Sequence, residues 1–200
     1  MSASGQKVMI VGLGAAGSEH AKALEWVPTA TVISGIDTDL SRILTFRGHQ
    51  VPVHSSVFDS TGNKLEPDIV VIATPTRSHA QVCDQVAEHY PRADIMVEKP
   101  AADNLDDARR MIEDGGKQRV NVAYHMAFSP EVDWALAQVS TKADLLDSPV
   151  AIESWCADPY QARLADAQSR LGTSWIDSGI NALSVCLLYT SDAADDLTRV

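Results

Sequence analysis

Apolar and polar positions change period along the first 123 residues, and the alternation predicts the elements. Runs that read as strands fall at Lys7 to Val11, Ala30 to Ile36, Val51 to His54, Asp68 to Ala73, Ile95 to Glu98 and Arg119 to Ala123. Segments with helical spacing lie between them, at Ala15 to Trp26, Asp39 to Arg47, Ser78 to His89 and Asp103 to Glu113. Strand and helix in turn predict an α/β fold with a doubly wound parallel sheet. Ile69-Val70-Val71-Ile72-Ala73 is apolar throughout, as a strand covered on both faces should be. Asp103 is the expected N-cap of its helix and Gly115-Gly116 its stop. Beyond Ala123 the spacing changes. A helix is expected after Pro130, through Trp134 to Val139, and a strand from Val150 to Cys156.

The turn that follows the first strand carries the chemistry. Gly12-Leu13-Gly14-Ala15-Ala16-Gly17 has the GxGxxG spacing, with a strand before it and a helix after it. The first glycine lets the strand turn sharply, the second lets backbone touch a pyrophosphate, and the third lets helix and strand pack closely. The helix start then offers unpaired N–H groups and a positive dipole end to the phosphate. Asp37 lies 20 residues past Gly17, at the end of the second strand. There a carboxylate binds the ribose hydroxyls of NAD and repels the 2′-phosphate of NADP. NAD is the expected cofactor, with NADP possible because Arg42 is expected one helical turn from Asp37. The first 125 residues therefore read as a Rossmann-type dinucleotide-binding domain.

Composition narrows the partners. A net charge of −11 without a basic stripe argues against nucleic acid or an anionic membrane. No apolar stretch approaches 18 residues, so no membrane span is expected. Cys83, Cys156 and Cys186 are widely and irregularly spaced, which suggests a reducing compartment and no metal site, with the cytoplasm as default. Core or pocket wall is the default for Trp26, Trp134, Trp155 and Trp175.

Four further segments add candidate site residues. Ala73-Thr74-Pro75-Thr76-Arg77-Ser78-His79-Ala80 closes a buried strand and opens a helix, placing Thr74, Pro75 and His79 at the carboxyl edge of the sheet, where such sheets hold ligands. Val97-Glu98-Lys99-Pro100 puts Glu98 and Lys99 at the same edge, and Pro100 biases Lys99 toward extended geometry. Val122-Ala123-Tyr124-His125 ends the last strand. Trp175-Ile176-Asp177-Ser178-Gly179-Ile180-Asn181-Ala182-Leu183 sets Asp177 and Asn181 at i, i+4, on one helix face.

Together these segments resemble the Gfo/Idh/MocA family of NAD(P)-dependent oxidoreductases, over Lys7 to about Val185. The resemblance implies Lys99 beside nicotinamide and substrate, and His125 lining the substrate site. His20 falls in the family's GxGxxGxxH spacing, where a packing role suits it. A DxxxH pair holds the substrate hydroxyl in that family, but Asn181 stands at the histidine position, and an amide cannot take a proton. The asparagine variant is similar to aldose 1-dehydrogenases, which implies a sugar C1 giving hydride to nicotinamide and leaving as a lactone. The base is then Lys99 or Asp177, with Asn181 holding the sugar. Lys99 is favoured, its neutral amine helped by burial or by the positive nicotinamide. Other family chemistry, such as inositol oxidation or imine or enone reduction, is the alternative, and a non-catalytic NAD(P)-binding sensor is a different class. The resemblance also implies a homo-oligomer built through the open sheet of the substrate domain.

Residues 126–185 are expected to open a truncated α+β substrate domain. The last segment, 186–200, is set apart. Cys186-Leu187-Leu188-Tyr189-Thr190-Ser191-Asp192-Ala193-Ala194-Asp195-Asp196 resembles the translation of a transposon-based sequencing adapter. The expectation is a natural protein that runs on differently after Val185, which would make the chain as given an inactive fragment.

Overall fold

β1 (Gln6–Val11) supplies the middle of the main sheet because its last four residues are all buried, on both faces. The computed structural model describes residues 5–57, 65–113, 120–141, 153–154 and 178–186. After β1 come α1 (Ala15–Leu24), β2 (Ala30–Ile36), β3 (Leu44–Phe46), β4 (His49–Val51) and β5 (Val53–His54). They are followed by β6 (Ile69–Ile72), α2 (His79–His89), β7 (Asp94–Glu98), α3 (Leu105–Glu113), β8 (Val120–Ala123) and α4 (Pro130–Thr141).

Six strands form one parallel sheet in the order β5-β2-β1-β6-β7-β8. The chain runs outward from β1 to β5, then restarts beside β1 with β6 and runs the other way. The strand order reverses between β1 and β6, and a crevice at the carboxyl ends of such strands is where doubly wound sheets hold ligands.

Alternation along β1 divides the core. Val8 and Ile10 join Leu13, Ala21, Leu44, Phe46 and Val51 on one face. Met9 and Val11 join Val70, Ile72, Cys83, Val86, Ile95 and Met111 on the other. Met9 and Ile10 are wholly buried, and each such side chain contributes about 1.5–3 kcal/mol to the fold.

One expected element is replaced. Residues from Asp39 to Arg47 do not form a helix; Leu44–Phe46 and His49–Val51 pair as an antiparallel hairpin. Arg47 and Gly48, at φ +50° and +77°, make its two-residue turn, a geometry that matches the twist of hairpin strands. Leu44 and Phe46 face the core with Thr45 exposed between them, a period of two that wins over helical spacing. Pro52 likewise splits the strand expected over Val51 to His54. It cannot donate, and its carbonyl accepts the N–H of Gly35 at 2.9 Å.

Smaller differences concern element ends. α1 stops at Leu24, so Trp26 lies in the following turn and is exposed rather than in the core. α3 is capped by Asn104, not Asp103: its Oδ1 accepts the Asp107 N–H at 2.9 Å and its Nδ2 donates to Asp107 Oδ2 at 2.8 Å. Gly115-Gly116 lies outside the described residues, as does the expected strand at Val150 to Cys156 apart from Glu153 and Ser154.

The chain divides into two compact units, Met1–Ala123 and Tyr124–Val200. The second contains a 3₁₀ turn at His125–Phe128, α4, and a helical stretch at 178–186. Ser129 starts α4, its carbonyl accepting the N–H groups of Val132 and Asp133 at 3.0 Å. Trp134, on α4, is exposed and not core. Among the described residues no helix is long and apolar enough to cross a membrane.

Candidate dinucleotide site

Gly12 leaves β1 at φ +90°, a conformation glycine adopts freely. A Cβ there would stand 2.7 Å from the carbonyl oxygen of Ala73, so the turn after β1 lies directly against the turn after β6. A Cβ on Gly17 would collide with the carbonyl oxygen of Gly12, which explains the close approach of α1 to the turn. Gly14 differs, because nothing lies within 4 Å of the position its Cβ would take. It is the N-cap residue of α1 and has no side chain to cover the first amides, those of Ala15, Ala16 and Gly17.

Asp37 follows β2. Its Oδ2 accepts the backbone N–H of Leu13 at 2.7 Å, and its Oδ1 accepts the N–H of Asp39 at 2.9 Å. Each oxygen keeps a further lone pair for an outside donor. With no helix over Asp39 to Arg47, Arg42 is not one helical turn from Asp37. It closes a turn on Asp39, its Nε 3.4 Å from that carboxylate. The Asp39 carboxyl is held below its usual range by the Ser41 hydroxyl and backbone N–H, with Arg42 adding to the effect.

The other half of the edge is built from the ends of β6 and β7. Ser78 Oγ donates to the Pro75 carbonyl at 2.7 Å and lies 3.0 Å from Thr74 Oγ1, tightening the Thr74-Pro75 turn. His79, expected to face the cofactor, is buried instead. Its Nε2 lies 2.7 Å from the Thr74 carbonyl oxygen, and its Nδ1 lies 3.1 and 3.2 Å from those of Pro100 and Ala101. Each ring nitrogen faces a backbone turn, and the one that carries hydrogen donates to it.

Glu98 ends β7. His20 Nε2, from the second turn of α1, donates to Glu98 Oε1 at 2.7 Å, and Oε2 accepts the Lys99 N–H at 3.1 Å. Burial pushes the Glu98 carboxyl up. The hydrogen bond and charge of His20, with the N–H and charge of Lys99, outweigh that, and it sits below its usual range. The Lys99–Pro100 peptide is cis. This link between α1 and β7 was not legible beforehand, although His20 stood in a recognisable spacing.

In the second unit, His125 is an exposed residue opening a 3₁₀ turn, and Asn181 is buried in the 178–186 helix. Burial pushes the Tyr124 phenol up. Asp177 lies outside the described residues.

The residues of the first unit fit a dinucleotide. A strand–glycine turn–helix unit presents unobstructed amides at Gly14, and Asp37 ends the next strand with lone pairs to spare. Lys99 follows Glu98, the last residue of β7, at the same carboxyl edge.

Comparison with known proteins agrees with this geometry. The family model of the Gfo/Idh/MocA oxidoreductases, described as an oxidoreductase family with an NAD-binding Rossmann fold, matches residues 6–126. An inositol 2-dehydrogenase of Rubrobacter xylanophilus is 28% identical over 177 residues, covering 84% of this chain and 47% of that protein. A myo-inositol 2-dehydrogenase structure from Lactobacillus plantarum superposes with a TM-score of 0.72 at 14% identity, covering 94% of this chain and 57% of that one. A scyllo-inositol dehydrogenase from Lactobacillus casei, with bound NAD(H) and scyllo-inositol, gives 0.72 at 17% identity, covering 91% and 55%. The chain thus spans about half the length of the relatives it matches.

Proposed function

Because this chain belongs to the Gfo/Idh/MocA oxidoreductase family, whose fold here is an NAD-binding Rossmann sheet, we propose that it is the cofactor-binding part of an NAD-dependent dehydrogenase acting on a polyhydroxylated ring. The observation that carries this reading is the convergence of the Gly12–Gly17 turn, Asp37 and Lys99 at the carboxyl edge of one parallel sheet. Bound NAD supplies the hydride acceptor. Asp37 holds the adenosine ribose and excludes a 2′-phosphate, so NAD is preferred over NADP. Lys99 takes the proton of the substrate hydroxyl as the carbon loses its hydride. Asp177 and Asn181 hold the substrate, and His125 lines its site.

Two substrate classes follow from two observations. The 28% identical relative is an inositol 2-dehydrogenase, which supports a cyclic polyol oxidised to an inosose. Asn181 in place of the family's histidine supports an aldose oxidised at C1 to a lactone. Absorbance at 340 nm, with NAD and a panel of inositols and aldoses, separates them. The panel member that reduces NAD identifies the class. In the full-length protein, NADH binding without turnover on any member overturns the dehydrogenase reading and favours a sensor. A Lys99→Met variant of the full-length protein that keeps kcat within a few-fold overturns the role given to Lys99.

A further inference from the structure

Lys99 sits between Glu98 and Pro100-Ala101, and a histidine from another element lies against each side. On its N-terminal side, Glu98 is fixed by His20 of α1 at 2.7 Å, and the same carboxylate accepts the Lys99 N–H at 3.1 Å. On its C-terminal side, the carbonyls of Pro100 and Ala101 face His79 Nδ1 at 3.1 and 3.2 Å, while Nε2 of the same ring reaches Thr74 at 2.7 Å. Loops that carry a reacting group are ordinarily the least stable part of a fold. This one is tied to the glycine-turn helix on one side and to the Thr74-Pro75 turn on the other.

We propose that His20 and His79 are positioning residues that brace the Glu98–Ala101 segment, so that Lys99 is presented to the nicotinamide end of the dinucleotide in one geometry. The chemistry of each link requires a histidine-like side chain. Ionised Glu98 only accepts hydrogen bonds, so His20 must donate, and from the distance of its far ring nitrogen. His79 stands between two backbone turns, with a carbonyl oxygen facing each ring nitrogen; whichever nitrogen carries hydrogen donates, and both turns are bonded only when both do. A glutamine amide, with its polar atoms at one end, reaches only one of them. His79 is also 1% exposed, so water cannot replace the contact that is lost.

The proposal uses the position assigned to Lys99 above but not its role in proton transfer. Its test is amide hydrogen exchange on the whole chain, together with titration by NADH and by ADP-ribose, which lacks nicotinamide. His20→Ala and His79→Gln are each expected to speed exchange of the Lys99 amide about tenfold while β1 amides stay unchanged. They are expected to weaken NADH about fivefold and leave ADP-ribose within about twofold. His20→Gln, which returns a donor at the right reach, restores both. Unchanged Lys99 exchange in His20→Ala and His79→Gln overturns the brace, as does parallel loss of both ligands with a general rise in exchange. Should the chain bind neither ligand, the exchange result decides alone. Lys99→Met leaves both histidine links in place. Normal exchange at Glu98, Lys99 (as Met) and Ala101 in that variant, with turnover retained in the full-length protein, removes the proton-transfer role and leaves the brace standing.

Discussion

The carboxylate of Asp37 accepts the backbone N–H of Leu13 at 2.7 Å, tying the end of β2 to the glycine turn that leaves β1. The side chain proposed to hold the ribose thus also fixes the turn proposed to receive the pyrophosphate, and on that reading a single group reads two parts of one ligand. Asp37→Ala removes the acceptor and leaves the Leu13 N–H without it. NADH affinity is expected to fall at least about tenfold. NADPH affinity is expected to fall less, because the repulsion of the 2′-phosphate goes too. Fluorescence titration with both nucleotides checks this, and equal losses for the two would contradict it.

Gly17 and Gly14 separate folding from binding. Gly17→Ala forces a methyl group onto the Gly12 carbonyl, at an expected cost of about 1–3 kcal/mol in stability. Gly14→Val meets open space, so the melting temperature is expected to stay within a few degrees while NADH binding is lost. Thermal melts run beside NADH titrations decide the matter. A Gly14→Val protein that still binds NADH normally rules out a phosphate at that turn.

Cys83 is an inert thiol. Burial, helped by the neighbouring Asp84 charge, pushes it up to about 12. Thiolate is the reactive form, so alkylation at pH 8 is expected to be at least about a hundredfold slower in the native chain than in urea. Peptide mapping after iodoacetamide treatment measures it at this site alone.

Glu98 makes stability depend on acid. Its carboxyl is lower in the folded chain than its ordinary value, so it contributes stability above the ordinary carboxylate range. That contribution disappears as the pH falls through the lower, folded value. Glu98→Gln is therefore expected to cost about 1 kcal/mol at pH 7 and progressively less as the pH falls below the ordinary carboxylate range. Urea unfolding of both proteins at several pH values tests the sign, and a gap that widens toward acid would reverse it.

Much of the fold could be read along the chain. β2 runs from Ala30 to Ile36 as its apolar run predicts, and β1, β6 and β7 fall within a residue or two of theirs. Long apolar runs between turn residues leave a buried strand little choice. The segment from Asp39 to Arg47, expected as a helix, forms the hairpin because Arg47-Gly48 suits its two-residue turn. That preference counts only once Leu44 and Phe46 find an apolar face to cover.

Local pattern alone determined the glycine turn, the acid at Asp37, the lysine at a strand end and the parallel sheet that carries them. These follow from backbone freedom, charge and period, which act over a few residues. Tertiary structure decided what lies far apart in the chain. It set His20 on Glu98, 78 residues away. It turned His79 from a candidate ligand residue into a link between two backbone turns. Such contacts depend on which strand lies beside which, and strand order is fixed by the packing of the whole sheet.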